Sequence, residues 1–229
     1  NMFKKNDKVL VAVSGGPDSL TLLNVLLSIR SEYNLDIHIF HLDHMMREEC
    51  SRKDAAIVKD IADKLQITST ILSFDVPFFI KEKHLSKQDG ARQIRYQLLE
   101  EVANKVGSNK IALGHTLDDQ VETVMMRLLR GSGLGGLRGI HPVRDRYIRP
   151  LIEITREEIQ EYCIENNLEP SLDSSNISMK YYRNRIRNDL IPYIVENYNC
   201  NFKEIVFNTA QILTDDYCVL QKLILDKFD

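Results

Sequence analysis

The sequence predicts an α/β fold: a mostly parallel sheet covered by helices on both faces, with a helical C-terminal extension. Three observations carry that prediction. Short apolar runs (Val9–Val13, Asp36–Leu42, Ile67–Phe74 and Lys110–Gly114) alternate with amphipathic helical stretches, the pattern of β-α-β units. Val9–Val13 is apolar throughout, as a strand buried on both faces requires. The last stretch, Cys218–Phe228, has the periodicity of a helix and follows no further strand pattern. At 229 residues and 26.5 kDa the chain holds one α/β domain, 1–200, and a short appendage, 201–229.

The first run is followed by Ser14-Gly15-Gly16-Pro17-Asp18-Ser19. Then come Leu20, Leu22, Leu23, Val25, Leu26, Leu27 and Ile29, the broad apolar face of a helix. The hexapeptide is therefore a strand-to-helix turn, in which the glycines allow tight geometry and Pro17 suits an early helical position. A helix start offers unpaired N–H groups and partial positive charge, and the hydroxyls of Ser14 and Ser19 stand beside them. Such a turn cradles an anion. It has no lysine, unlike a Walker-type loop, and so suits a pyrophosphate that leaves whole.

The second strand runs into His41-Leu42-Asp43-His44-Met45-Met46-Arg47. Ser51 is expected to start a helix, with Asp54 completing a capping box. Pro77 to Ser86 reads as an irregular connection suited to a lid, Gly90 to Val106 as a helix, and Thr155 with Glu158 as the start of a helix through Asn166. Gly131 to Gly139 reads as a flexible linker. In parallel sheets ligands bind beyond the carboxyl ends of the strands. Ser14–Ser19, His41–Arg47 and Gly114–Asp119 are therefore expected at one edge.

Composition narrows the function classes. Hydrophobic content of 43% and charged content of 28% are those of a soluble globular protein, and the uncharged run Ser19–Ile29 is too short to span a bilayer. Cys50, Cys163, Cys200 and Cys218 are scattered without two-residue spacing, which fits a reduced compartment and no cysteine-based metal site. The net charge of −3 hides uneven regions. Arg127 to Arg149 holds six arginines and one acid, and Lys180 to Arg187 four cations and no acid. Such patches hold an RNA backbone locally.

His41, Asp43 and His44 could ligate a metal, but such residues beyond a buried strand more often bind a nucleotide or simply cap the next turn. In Gly114-His115-Thr116-Leu117-Asp118-Asp119-Gln120-Val121-Glu122-Thr123, a Thr116–Asp119 capping box accounts for two residues only. Asp118 and Glu122 then share a helix face. Stacked acids there call for a cation, either magnesium with a triphosphate or the ammonium of an amino-acid substrate. Arg92 and Arg95, one turn apart, suit phosphate or a substrate carboxylate as well as plain surface charge. Tyr181-Tyr182-Arg183-Asn184-Arg185-Ile186-Arg187-Asn188 suits RNA phosphates and base stacking.

The hexapeptide resembles the pyrophosphate loop of ATP-pyrophosphatases, whose fold is adenine-nucleotide alpha-hydrolase-like. Ser14–Ser19, His41–Arg47, Gly114–Thr123, Arg130–Ile140 and Asp173–Arg187, in this order and spacing, resemble the tRNA(Ile)-lysidine synthetases from about Val9 to Pro192. The sequence departs from them at Met45-Met46, where a glycine-containing pair is usual, and at Leu172, where an aromatic is frequent. Members of that family also continue into further domains that hold tRNA, so the resemblance implies that 201–229 is the start of a truncated C-terminal region.

The resemblance implies a cytoplasmic ligase using ATP and Mg2+. It would join free L-lysine to the wobble cytidine of isoleucine tRNA with a CAU anticodon, through an adenylated tRNA. It implies that Ser14, Gly15, Gly16, Pro17, Asp18, Ser19, Asp43, His44, Gly114 and His115 bind the nucleotide and that Asp18 also holds the metal. Asp18, Asp119 and Glu122 would be catalytic. Arg92, Arg95, Asp118, Arg130, Arg183, Asn184, Arg185 and Arg187 would contact lysine or tRNA. Two other functions stay open. One is tRNA cytidine thiolation, which uses paired cysteines or an iron–sulfur cluster; the other is a non-catalytic ATP-binding regulatory module. No membrane partner is expected, and the oligomeric state is left open, a homodimer included.

Overall fold

Val9, Leu10 and Val11 are each completely buried, so β1 (Lys8–Ala12) is covered on both faces, as its unbroken apolar run requires. The computed structural model describes residues 2–45, 48–171 and 182–228. The expectations for Met46, Arg47 and residues 172–181 lie outside the described residues. β1 lies between β2 (Asp36–Asp43) and β4 (Lys110–Ala112), parallel to both. β3 (Ser69–Ser73) adds in parallel outside β2, and β6 (Tyr147–Ile148) in parallel outside β4. β5 (Val143–Arg144) closes that edge antiparallel, giving the order β3-β2-β1-β4-β6-β5. The chain thus changes direction across the sheet between β1 and β4, the switch point at which open α/β sheets bind ligands.

Helix α1 (Pro17–Ser28) follows β1 with Gly16 as N-cap and proline in its first turn. After the short α2 (Arg30–Tyr33) and β2, α3 spans Glu48–Lys64. Ser51 therefore lies within α3, and the expected capping box at its start is corrected. Pro77 to Ser86 is also corrected, since most of it is helical. Asp75 accepts the Phe78 N–H at 2.8 Å and so caps α4 (Val76–Lys83), while Pro77 occupies a position that needs no donor. Ser86 likewise accepts from Asp89 N–H and starts α5 at Lys87 (Lys87–Val106). Packing of α5 on the sheet builds one core from Leu10, Phe40, Ile94, Leu99 and Ile111.

The chain packs as two units. One comprises Asn1–Gly114, Val143–Pro150 and Glu157–Leu172, with all the strands; the other comprises His115–Pro142, Leu151–Arg156 and Asp173–Asp229. The second unit holds α6 (Leu117–Leu129), whose Leu117, Val121 and Met125 pack with Ile186, Ile191 and Phe207. Its glycine-rich stretch is not a flexible linker. It contains the short helix α7 (Leu134–Leu137), and Arg127 Nη1 donates to the carbonyls of Gly136 and Gly139 at 2.7 and 2.8 Å. Gln120 donates to the Arg138 carbonyl and accepts the Ile140 N–H. Gly139 has φ +68°, and a Cβ there would strike the Gln120 amide.

Helix α8 (Arg156–Glu165) begins directly after Thr155, as expected. Helix α9 (Tyr182–Arg185) leads into a π-helix, Ile186–Leu190, then α10 (Ile191–Asn197) and the long α11 (Phe202–Phe228). Among the described residues, no helix is long and apolar enough to cross a membrane.

Candidate functional site

In the first unit the carboxyl ends of β1, β2 and β4 lie side by side, which brings together Ser14–Ser19, His41–His44 and Gly114 as expected. The two serines shape the turn. Ser19 Oγ donates to the Gly16 carbonyl at 2.9 Å and accepts the Ser14 N–H at 3.1 Å, and the two hydroxyls meet at 3.2 Å. Gly15 has φ +90°, and its carbonyl accepts the Ser171 N–H at 2.9 Å. Gly16 has no side chain with which to cap α1, and Pro17 has no N–H, so the helix start is not plugged by its own cap. A Cβ on Gly114 would stand 3.1 Å from the Asp18 carbonyl. A side chain there would press on the Asp18 backbone, so glycine suits this close approach of the end of β4 to the start of α1.

Along β2, His41 Nδ1 donates to the Val13 carbonyl at 2.8 Å, which ties the strand end to the turn. Asp43 accepts the Met45 N–H at 2.8 Å, so it works as the cap of its own turn. His44 Nε2 faces Arg95 Nη2 at 3.4 Å, and Arg92 lies 4.9 Å over the Tyr96 ring.

The second unit holds the acids. Thr116 and Asp119 form the expected capping box. Asp119 does more than cap: its Oδ2 accepts the Thr116 N–H, and its Oδ1 accepts Arg183 Nη2 at 2.9 Å. The Glu122 side chain is 1% exposed and receives both arginines. Arg183 Nε donates to its Oε2 at 2.6 Å, and Arg187 binds both oxygens at 2.5 and 2.9 Å. Arg156 Nη2 approaches Glu122 at 3.8 Å, while the Arg156 N–H donates to Asp118 at 2.8 Å. Lys203 Nζ completes the set, 2.7 Å from Asp118. Burial pushes the Asp118 carboxyl up, but Lys203 and the Arg156 N–H and charge outweigh it and hold the pKa below the ordinary carboxylate value.

The cation that stacked acids require thus comes from within the chain. Arg183 and Arg187, read from sequence as RNA contacts, supply most of it. Arg185 is exposed, Asn184 and His115 are half-buried in the same unit, and Arg130 lies 5.4 Å over the Tyr182 ring. Arg156 and Lys203 were not anticipated. The Thr155 cap hinted at an N-terminal N–H near Arg156, but nothing in the spacing joins Lys203 to Asp118.

Residues 1–194 match the PP-loop domain family. The chain belongs to that family. As a PP-loop protein it is 43% identical over its whole length to a tRNA(Ile)-lysidine synthase of Clostridium acetobutylicum and 41% identical to one of Clostridioides difficile. It spans about half the length of each of these curated relatives, 50% in both cases. Among solved structures, a U34-tRNA thiolase of Methanococcus maripaludis with its [4Fe-4S] cluster superposes with a TM-score of 0.72 at 21% identity. That match covers 93% of this chain and 74% of the thiolase, and the likeness is one of fold.

The PP-loop edge fits a nucleotide on its own geometry. His44 is neutral at pH 7, because burial lowers its pKa to about 4, helped by Arg95 and His41 and opposed by Asp43. Arg95 can only donate, so His44 Nε2 accepts and Nδ1 carries the hydrogen. That Nδ1 is buried with no hydrogen-bond partner among the described residues, a donor suited to a base nitrogen or carbonyl. The stability consequence has a definite sign. Unfolded His44 takes a proton near the ordinary 6.5, and the folded one only near 4, so its contribution is complete above pH 6.5 and lost as pH falls toward 4. Burial lowers the His38 pKa too, adding loss of the same sign. In urea titrations, His44→Gln is expected to make the decline of the midpoint over this window shallower. An unchanged profile would take His44 out of it.

Proposed function

We propose that this PP-loop protein is the catalytic part of a tRNA(Ile)-lysidine synthase: a cytoplasmic ATP-dependent ligase, with 1–200 as its catalytic domain and 201–229 as a helical extension. The observation that supports this most is the likeness, over the full 229 residues, to two synthases at 43% and 41% identity. The wobble cytidine of isoleucine tRNA with a CAU anticodon would use its carbonyl oxygen to attack the α-phosphorus of ATP, and pyrophosphate would leave. The side-chain amine of free lysine would then form a bond to the ring carbon, and AMP would depart with the former carbonyl oxygen.

The residues have separate tasks in this scheme. The Ser14–Ser19 turn holds pyrophosphate, and His44 Nδ1–H orients the base. Asp18, a hard oxygen donor in the first turn of α1, fits magnesium, which when bound supplies charge neutralisation at the phosphates. Asp119 and Glu122 orient the lysine amine, with Asp118 beside them. Arg92 and Arg95 steady phosphate or tRNA, and Arg130, Asn184 and Arg185 contact tRNA. Mass spectrometry of the tRNA after incubation with ATP and lysine tests the reading. A nucleoside heavier by one lysine less water is expected. Sulfur in place of oxygen would indicate thiolation, and an intact tRNA with no ATP consumed would indicate a regulatory module.

A further inference from the structure

The Glu122 side chain is almost wholly buried, and a carboxylate there demands positive charge. The proposed function gives that task to the lysine ammonium, yet Arg183 and Arg187 already hold both oxygens of Glu122 and Oδ1 of Asp119. We propose that this ion-pair cluster is a resting-state lock. Arg183 and Arg187 occupy the cation site of Asp119 and Glu122 until RNA phosphates draw them off, so that RNA binding opens the amine site. The inference rests on the proposed assignment of Asp119 and Glu122 to lysine.

Exposure sets the direction of exchange. The side chains of Arg183 and Arg187 are 32% and 19% exposed above a Glu122 that is 1% exposed, so a phosphate reaches the guanidiniums without entering the core. Arginine geometry permits the exchange. Arg187 grips Glu122 through Nε and Nη2, and the same fork fits a phosphate.

The segment that carries the arginines contains an irregular helical turn. In the π-helix the Ile191 N–H bonds to the Ile186 carbonyl, five residues back. In an α-helical register the Pro192 ring would meet the Asn188 carbonyl and leave it without a donor; the wider turn avoids that. Arg187 sits within the wide turn and Arg183 in the regular turn before it. Single π turns are rare and concentrate at functional sites.

While the lock is closed, lysine binds only the open fraction of molecules, and its apparent affinity falls by that fraction. The test is equilibrium binding of L-lysine to the full chain with magnesium and a non-hydrolysable ATP analogue, with and without a transcript of the CAU isoleucine tRNA. The wild type is compared with Arg183→Gln/Arg187→Gln and with Glu122→Gln. RNA is expected to tighten lysine binding to the wild type by at least about tenfold. The double variant should bind lysine tightly without RNA and gain nothing from it. Should that variant not fold, reciprocity in the wild type decides, because lysine must tighten RNA binding by the same factor. Wild-type lysine affinity indifferent to RNA, or a folded double variant as weak as wild type, overturns the lock while leaving the lysine assignment standing. Unchanged lysine affinity in Glu122→Gln overturns that assignment, and the lock with it.

Discussion

Asp18→Asn is expected to slow pyrophosphate release by at least about a hundredfold and to cost the fold no more than about 1 kcal/mol. The two effects separate because of where Asp18 sits. The N-cap of α1 is Gly16, so an amide at position 18 removes no cap. The close approach to Gly114 involves the Asp18 backbone carbonyl, which the substitution leaves in place. What is lost is one negative charge in the first helical turn, together with the oxygen pair that would hold magnesium. A pyrophosphate-release assay beside a thermal melt checks this. Normal turnover would remove Asp18 from the metal role, and a collapsed melt would make its role structural.

Glu122→Gln should have the largest effect in the second unit. Gln keeps the shape but removes the charge that faces Arg183, Arg187 and Arg156. Breaking a buried pair costs about 3–5 kcal/mol, and the lower end applies because the arginines keep access to water. Turnover should lose lysine dependence more than ATP dependence, since the acid complements an ammonium group. Product formation measured against each substrate concentration separates the two. Equal losses would point to a shared metal or to general damage of the unit. Glu122→Asp, which keeps the charge, should recover part of the stability.

Elements whose signals are local were legible in the sequence. The Val9–Val13 run, the glycine turn and the Thr116–Asp119 box each declare themselves through adjacent residues, and each stands where the chain predicts. The irregular connection expected at Pro77 to Ser86 is mostly helix, because with Asp75 ahead of it a proline starts a helix. The glycine-rich stretch failed for a different reason. Its backbone freedom is cancelled by Arg127 and Gln120, whose contacts come from folding and not from spacing. The acid cluster was half legible. Sequence showed that Asp118 and Glu122 need positive charge, but pairing them and Asp119 with residues 183, 187 and 203 is tertiary information.

The route of the chain through the sheet bears on how the protein is made. β1 leaves the ribosome early, yet β4 follows more than a hundred residues later, and β6 only after the chain has passed through the second unit. The Gly15 carbonyl waits longer still, for the N–H of Ser171. N-terminal-first folding, the usual course during synthesis, therefore cannot finish the first unit. Until β4 emerges, one edge of β1 is an open template of unpaired amides and carbonyls. Late, non-local parallel pairing of this kind is slow. Synthesis of this protein thus carries a long interval of aggregation risk: β1 is covered once β4 emerges, but the outer edge of β4 stays open until β6, which follows His115–Pro142 of the second unit.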